Sequence, residues 1–96
     1  MSDAPARIIG IPWYRREDYG VVRSVMADRH VLASSYDQWL AAAQNNESVA
    51  QQAGFRVVRA VIEPEAFARW CAERNLSLDG QARTQFAQEF ARSSDP

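Results

Sequence analysis

Lysine is absent from this sequence of 96 residues, which contains one cysteine and one histidine and has a formal net charge of -1. Without lysine there is no Schiff-base lysine, no P-loop lysine and no lysine general base. A single cysteine cannot form an internal disulfide or a cysteine-rich zinc site, and one histidine weakens any histidine-based metal cluster. We therefore expect neither a metal nor a cofactor.

Long hydrophobic runs are also missing. No apolar stretch approaches the roughly 20 residues that a membrane-spanning helix needs. The first seven residues show no charged region leading into an apolar stretch, so they do not have the pattern of a secretory signal. Together with the single cysteine, this predicts a protein of a reducing cytoplasm. The four glycines are isolated, so there is no glycine-rich phosphate loop.

What is present fits an ordinary globular protein. Hydrophobic residues make up 47% of the chain and charged residues 24%, which matches average usage in soluble domains. No internal segment is long or polar enough to be a linker. We predict a single domain over residues 1–96, with frayed ends at about 1–6 and 93–96.

Two segments have the pattern of β-strands. Residues 7–11 are rich in isoleucine and are followed by Pro12, which cannot donate to a strand ladder and is expected to end the strand. Residues 55–62 alternate with apolar groups on both faces, as in a strand covered on both sides. The longer strand exceeds the shorter by about three residues, so some of its backbone groups are expected to lack a partner.

Helices fill the rest of the chain, and several begin or end at recognisable residues. We predict a capping box at Ser35 and Gln38, a helix start at Pro64, a cap at Asp79, and left-handed ends at Gly54 and Asn75. The predicted order is β-α-α-β-α-α, an α+β fold that is mostly helical, with a small two-stranded sheet packed by helices. The periodicity predicts a core of Ile9, Ile11, Tyr36, Trp39, Leu40, Val58, Val61, Phe67, Trp70, Phe86 and Phe90.

Several strings are distinctive in combination. They are Ile-Pro-Trp-Tyr-Arg at 11–15, Ser-Tyr-Asp-Gln-Trp-Leu at 35–40, and Phe-Ala-Arg-Trp-Cys at 67–71. With Leu78, Asp79, Ala82 and Arg83, they resemble landmarks of a group of short uncharacterised (hypothetical) bacterial proteins of unknown function. The resemblance spans about residues 10–91. It implies a bacterial protein and assigns no catalytic residue.

The segment Trp13, Tyr14, Arg15 and Arg16 is the most suggestive candidate site. Aromatic rings beside arginine form hot spots for protein partners, and they also stack bases while the arginines contact phosphates. In the alternative interpretation, Trp13 and Tyr14 close over the core and both arginines are solvated, which is the commoner arrangement. Of the two binding interpretations, the sequence favours a protein contact over nucleic acid.

Two further residues carry possible chemistry. His30 has Asp28 and Asp37 as acidic neighbours in the sequence, which suits a general base, but its position at a predicted helix end favours a surface or capping role. Cys71 suits a nucleophile only if a base is nearby. It shares a helical stripe with Phe67 and Trp70, so burial is the favoured interpretation.

These observations favour a small, non-catalytic, cytoplasmic protein-interaction module. One alternative is a nucleic-acid-binding regulator that uses the arginine and aromatic patch, and a less favoured one is a small enzyme that uses His30 or Cys71. We expect a monomer by a small margin over a homodimer that forms through a strand edge. Arg56, Arg59 and Pro12 are placed either to protect such an edge or, equally, to flank an edge that accepts a partner strand.

Overall fold

The computed structural model describes residues 7–93, which form four α-helices, two single-turn 3-10 helices and one two-stranded sheet. The elements are β1 (Ile8–Trp13), α1 (Tyr19–Val25), α2 (Tyr36–Gln52), β2 (Arg56–Val61), α3 (Pro64–Glu73) and α4 (Gly80–Ser93). The 3-10 turns Arg16–Asp18 and Arg29–Val31 precede α1 and α2. The α+β class and the predicted order are confirmed.

The predicted frayed ends fall almost entirely outside this description. Residues 1–6 and 94–96 lie outside the described residues, whereas Ser93 is the last residue of α4. Within residues 7–93, no helix combines the length and the apolar character that crossing a bilayer demands.

The two strands are parallel, with Ile8 opposite Arg56 and Trp13 opposite Val61. The expectation that Pro12 ends the first strand is wrong, since β1 continues to Trp13. The N–H of Ile62 donates to the carbonyl of Trp13 at 2.8 Å, so the odd-numbered residues of β1 point their backbone groups at β2. The nitrogen of Pro12 therefore faces away from β2, where its missing N–H removes no bond from the ladder.

Local sequence signals account for the helix ends. The hydroxyl of Ser35 accepts the N–H of Gln38 at 3.1 Å, and a carboxylate oxygen of Asp79 accepts the N–H of Ala82 at 3.0 Å. Pro64 occupies the first turn of α3. Gly54 and Asn75 adopt the left-handed conformation, with φ of 97° and 56°, as predicted for residues that follow helices.

Helices cover both faces of the sheet. On one face Gly10 of β1 lies so close to α4 that a Cβ atom there would meet the carbonyl oxygen of Ala87 at 2.0 Å. On the other face, the side chains of Trp13 and Arg59 contact α2 through Trp39 and Glu47. The sheet is thus the middle layer between α2 and α4.

The core lies further towards α1 and α3 than the periodicity predicts. Of the eleven residues predicted to be buried together, Phe67 is fully buried, Phe90 is 43% exposed, and the others are partly exposed. The buried cluster consists of Tyr14, Tyr19, Val22, Met26, Ile62, Phe67, Cys71 and Ala82. Four of the predicted residues, Tyr36, Trp39, Trp70 and Phe86, are partly buried and pack against this cluster.

Candidate functional site

The predicted patch at residues 13–16 is divided between the interior and the surface. Trp13 and Tyr14 are only 7% and 2% exposed, while Arg15 and Arg16 are exposed. This is the arrangement in which the rings close over the core and the arginines remain solvated. The two rings are therefore not available as an exposed hot spot.

Both rings belong to an aromatic cluster formed by Trp13, Tyr14, Tyr19, Tyr36 and Trp39. Neighbouring ring centroids in this cluster lie 4.8–5.9 Å apart, which is the range of favourable aromatic pairs. The hydroxyl of Tyr36 donates to the carbonyl of Tyr14 at 2.9 Å, and that of Tyr19 donates to the carbonyl of Ala33. The cluster therefore fastens α1 and α2 to the end of β1.

The two exposed arginines are accompanied by carboxylates. Arg16 lies 2.8 Å from an oxygen of Asp37 and also sits 4.6 Å from the ring centre of Tyr36. Arg15 lies 3.7 Å from an oxygen of Asp18. Because each guanidinium has an acidic neighbour, this surface presents little uncompensated positive charge to the phosphates of a nucleic acid.

A small cleft of about 270 Å³ lies between α2, α4 and the end of β1. Its polar groups include Tyr14 and Arg83, and Trp39 forms part of its apolar wall. Arg83 is bound through two N–H groups to Asp28, at 2.9 and 3.1 Å. Burial raises the pKa of Tyr14 to about 12, although the nearby charge of Arg83 lowers it in part. The tyrosine hydroxyl therefore stays protonated, and the arginine charge is already paired.

His30 and Cys71 occupy different surroundings. Cys71 is fully buried in the core, and burial raises the pKa of its thiol, which disfavours the reactive thiolate. His30 is exposed in the 3-10 turn before α2. Its acidic neighbours in sequence are engaged elsewhere, Asp28 with Arg83 and Asp37 with Arg16. Within residues 7–93, no group of three acidic, histidine or cysteine side chains is placed to hold a metal ion.

The outer edge of β1 is closed by a side chain of α4. The N–H of Gly10 donates to Oε1 of Gln88 at 3.1 Å, and Nε2 of Gln88 donates to the carbonyl of Ile8 at 3.2 Å. The next residue on this edge is Pro12, which has no N–H to offer. Gln88 thus takes the place of a neighbouring strand, and a further strand cannot pair here without displacing it.

The outer edge of β2 is open. Since Arg56 and Ile62 donate their N–H groups to β1, the intervening residues Val57, Arg59 and Val61 point their backbone groups the other way. Among the described residues, nothing hydrogen-bonds to these outward N–H and C=O groups. Unpaired strand edges of this kind accept strands from other chains.

Arg59 is expected from the sequence to shield such an edge, but its charge is held on the face of the sheet. Its guanidinium donates two hydrogen bonds to Glu47 of α2, at 2.7 and 2.8 Å, and lies 3.9 Å from the ring centre of Trp13. The carboxylate of Glu47 neutralises the charge of Arg59, and the ring of Trp13 holds the guanidinium over the face of the sheet. Arg59 therefore contributes no free charge against strand pairing.

Comparison of the chain with protein-family models, curated proteins and solved structures finds no match. The resemblance to short bacterial proteins therefore stays a prediction, and the candidate site rests on geometry.

The sequence predicts unpaired backbone groups from a difference in strand length, and this reason is wrong, because β1 and β2 are both six residues long and pair along their whole length. The unpaired groups lie instead on the outer edge of β2, and the sequence does not show that the outer edge of β1 is closed. The signal for β1 is distributed over Pro12 and Gln88, which are distant in sequence and meet only in the fold. The pair of Arg83 and Asp28 is missed because an arginine on the buried stripe of a helix gives no indication of its partner in a remote loop.

Proposed function

We propose that the chain is a small, non-catalytic protein-interaction module that binds another polypeptide along the open edge of β2. The observation that carries this proposal is the contrast between the two edges, since Gln88 occupies that of β1 while the outward groups of Val57, Arg59 and Val61 have no partner among the described residues. Strand addition supplies those groups with hydrogen bonds, and the flanking side chains select the partner.

The surroundings of the edge support a binding role more than the alternatives. Val57 and Val61 are partly exposed apolar side chains beside the unpaired backbone, which suits contact with a second strand. The paired charges of Arg15 and Arg16 give little support to a nucleic-acid regulator. The buried thiol of Cys71 gives little support to an enzyme. Of the patch predicted from the sequence, Arg15 and Arg16 are the residues that lie at the surface, and they stay candidates for contact with a protein partner.

The module is proposed to work in the cytoplasm of a bacterium. The single cysteine and its burial as a free thiol fit a reducing compartment. The bacterial origin in this proposal rests on the resemblance to short bacterial proteins.

The test compares three immobilised forms of the chain in extract from the organism that encodes it. Val57→Pro removes an outward N–H without removing a bond to β1, whereas Val57→Thr keeps the N–H and the branched shape. We expect a partner that binds wild type and Val57→Thr to be lost from Val57→Pro, and binding to protect the amides of Arg59 and Val61 from exchange. Binding that Val57→Pro leaves unchanged would contradict the proposal.

A further inference from the structure

We infer that the strand added to the open edge of β2 is β2 of a second copy of this chain, running antiparallel. The result is a four-stranded sheet in the order β1-β2-β2-β1. This inference rests on the proposed function, since it names the partner of the same edge.

The pattern of backbone groups is the first reason. In an antiparallel pair related by a twofold axis, each copy offers the other the same alternation of N–H and C=O groups. The outward groups of Val57, Arg59 and Val61 from both copies are then satisfied together. The helices α2 and α4 contact the faces of the sheet, and neither hydrogen-bonds to the outward backbone groups of β2.

The closed edge of β1 is the second reason. In the assembled sheet the two outermost strands are the β1 strands, and Gln88 occupies the outer edge of each. Growth therefore stops at two copies, which is the closed symmetry that most soluble oligomers adopt. A chain with both edges open would instead continue into a fibre.

The charges along β2 are the third reason. The strand begins at the basic residue Arg56 and is followed at its end by the acidic residues Glu63 and Glu65. Antiparallel pairing sets the basic start of one copy beside the acidic end of the other, whereas parallel pairing sets like charges together. In the middle, each Arg59 is already neutralised by Glu47 of its own chain, so the two arginines can approach.

The side chains of the edge are also self-complementary. Val57 and Val61 lie on the same face of the strand, two residues to either side of Arg59. If Arg59 of one copy lies opposite Arg59 of the other, Val57 of each copy lies opposite Val61 of its partner, which gives two such valine pairs. β-branched residues directly opposite each other in an antiparallel pair are favourable.

Sedimentation equilibrium from about 1 µM to about 500 µM tests the inference, since this range covers ordinary weak homodimers. We expect the mean mass to rise from the 10.8 kDa of one chain towards twice that value. Val57→Thr is expected to associate as wild type does. Val57→Pro is expected to remain at the mass of one chain, with its circular dichroism and tryptophan fluorescence unchanged.

A charge exchange tests the antiparallel direction and does not depend on a proline variant that folds. Arg56→Glu and Glu65→Arg are each expected to weaken dimerisation about tenfold, or about 1.4 kcal/mol, because each places like charges at the same end of the strand pair. The double variant is expected to restore it. A double variant that associates no better than the single variants would overturn the antiparallel arrangement.

Two other results would overturn the inference in distinguishable ways. If the mean mass stays at that of one chain over the whole range, the second copy is excluded as the partner. The proposed function survives that result if another polypeptide binds wild type and does not bind Val57→Pro. A dimer that folded Val57→Pro forms as readily as wild type places the contact on another surface. If no edge-dependent partner exists either, both proposals fail.

Discussion

At Gly10 the sheet and α4 approach each other closely. Its backbone φ is not in the left-handed region, so steric space and not conformational freedom requires glycine here. A Cβ atom would lie 2.0 Å from the carbonyl oxygen of Ala87 and 3.1 Å from the Cβ of Ala91. An alanine at this position therefore forces α4 away from β1.

We expect Gly10→Ala to lower the free energy of unfolding by about 3 kcal/mol, as an overpacked core site does. Urea denaturation followed by circular dichroism measures this. The control is Gly20→Ala on α1, where an added Cβ meets nothing within 4 Å and is expected to stabilise the helix by about 1 kcal/mol. Equal effects of the two substitutions would contradict the close contact.

The buried hydroxyl of Tyr14 is expected to make the stability of the fold depend on pH in the alkaline range. Burial raises its pKa from 10.0 to about 12, so the folded state holds the proton more tightly than the unfolded state does. The stability that follows is fully present below pH 10 and is lost as the pH rises from 10 through about 12. We expect Tyr14→Phe to lack this loss, and the ultraviolet titration of wild type to contain a tyrosine component near pH 12 that the variant lacks. Identical titrations of the two proteins would refute the burial of this hydroxyl.

Among the secondary-structure elements, α4 supplies Gln88, whose side chain bonds to the outer edge of β1 where a neighbouring strand would otherwise pair. Gln88→Ala leaves the N–H of Gly10 and the carbonyl of Ile8 without their partner. We expect a loss of about 1–3 kcal/mol in the free energy of unfolding, together with oligomers larger than a dimer in sedimentation, because both edges are then open. Gln85→Ala is the control, since Gln85 is exposed on the same helix and its side chain donates to Glu89. A stable Gln88→Ala dimer would show that the side chain does not close the edge.

The ion pair of Asp28 and Arg83 joins the segment after α1 to the start of α4. Hydrogen bonds from Arg83 lower the pKa of Asp28 below its usual 3.8. The resulting stability is present above that value and is lost as the pH falls through the lower pKa of the folded state. Since Asp28 is partly solvated, we expect Asp28→Asn to cost about 2 kcal/mol at neutral pH, less than a fully buried pair would. In thermal melts from pH 6 to pH 2, the difference between wild type and variant is expected to shrink.

Local features of the elements are predictable from the sequence, and non-local ones are not. Ser35, Pro64, Asp79, Gly54 and Asn75 act within one turn of chain, so their roles follow from neighbouring residues alone. The role of Pro12 depends on which side of β1 faces β2. That alternation is set by pairing with a strand more than forty positions later, so the sequence places the strand end two residues too early.

For the molecule as a whole, the sequence predicts the fold class but gives the strands unequal lengths and misplaces the core. Helical periodicity places the inner face of α4 one residue away from its true position, since Ala87 and Ala91 are fully buried against β1. Phe90 lies on the predicted stripe, to one side of that inner face, and is 43% exposed. Likewise, the pattern of aromatic residues at 13 and 14 does not distinguish a binding patch from a packed cluster.

The whole-molecule claim is that one edge of the sheet is closed from within and the other is open to a second chain. Residue-resolved amide hydrogen exchange tests it most directly, because neighbouring residues of β2 point to opposite edges. The amides of Val58 and Ala60, which face β1, together with that of Gly10, serve as internal references at every concentration.

In dilute monomer we predict protected amides at Gly10, Val58 and Ala60, and fast exchange at Val57, Arg59 and Val61. In concentrated protein, the last three are predicted to become protected as the dimer forms. Protection of Val57, Arg59 and Val61 already in the dilute monomer would show that the edge is covered within one chain. Fast exchange of these three amides in a sample whose mass is that of a dimer would show that β2 is not the contact, and either result would contradict the account.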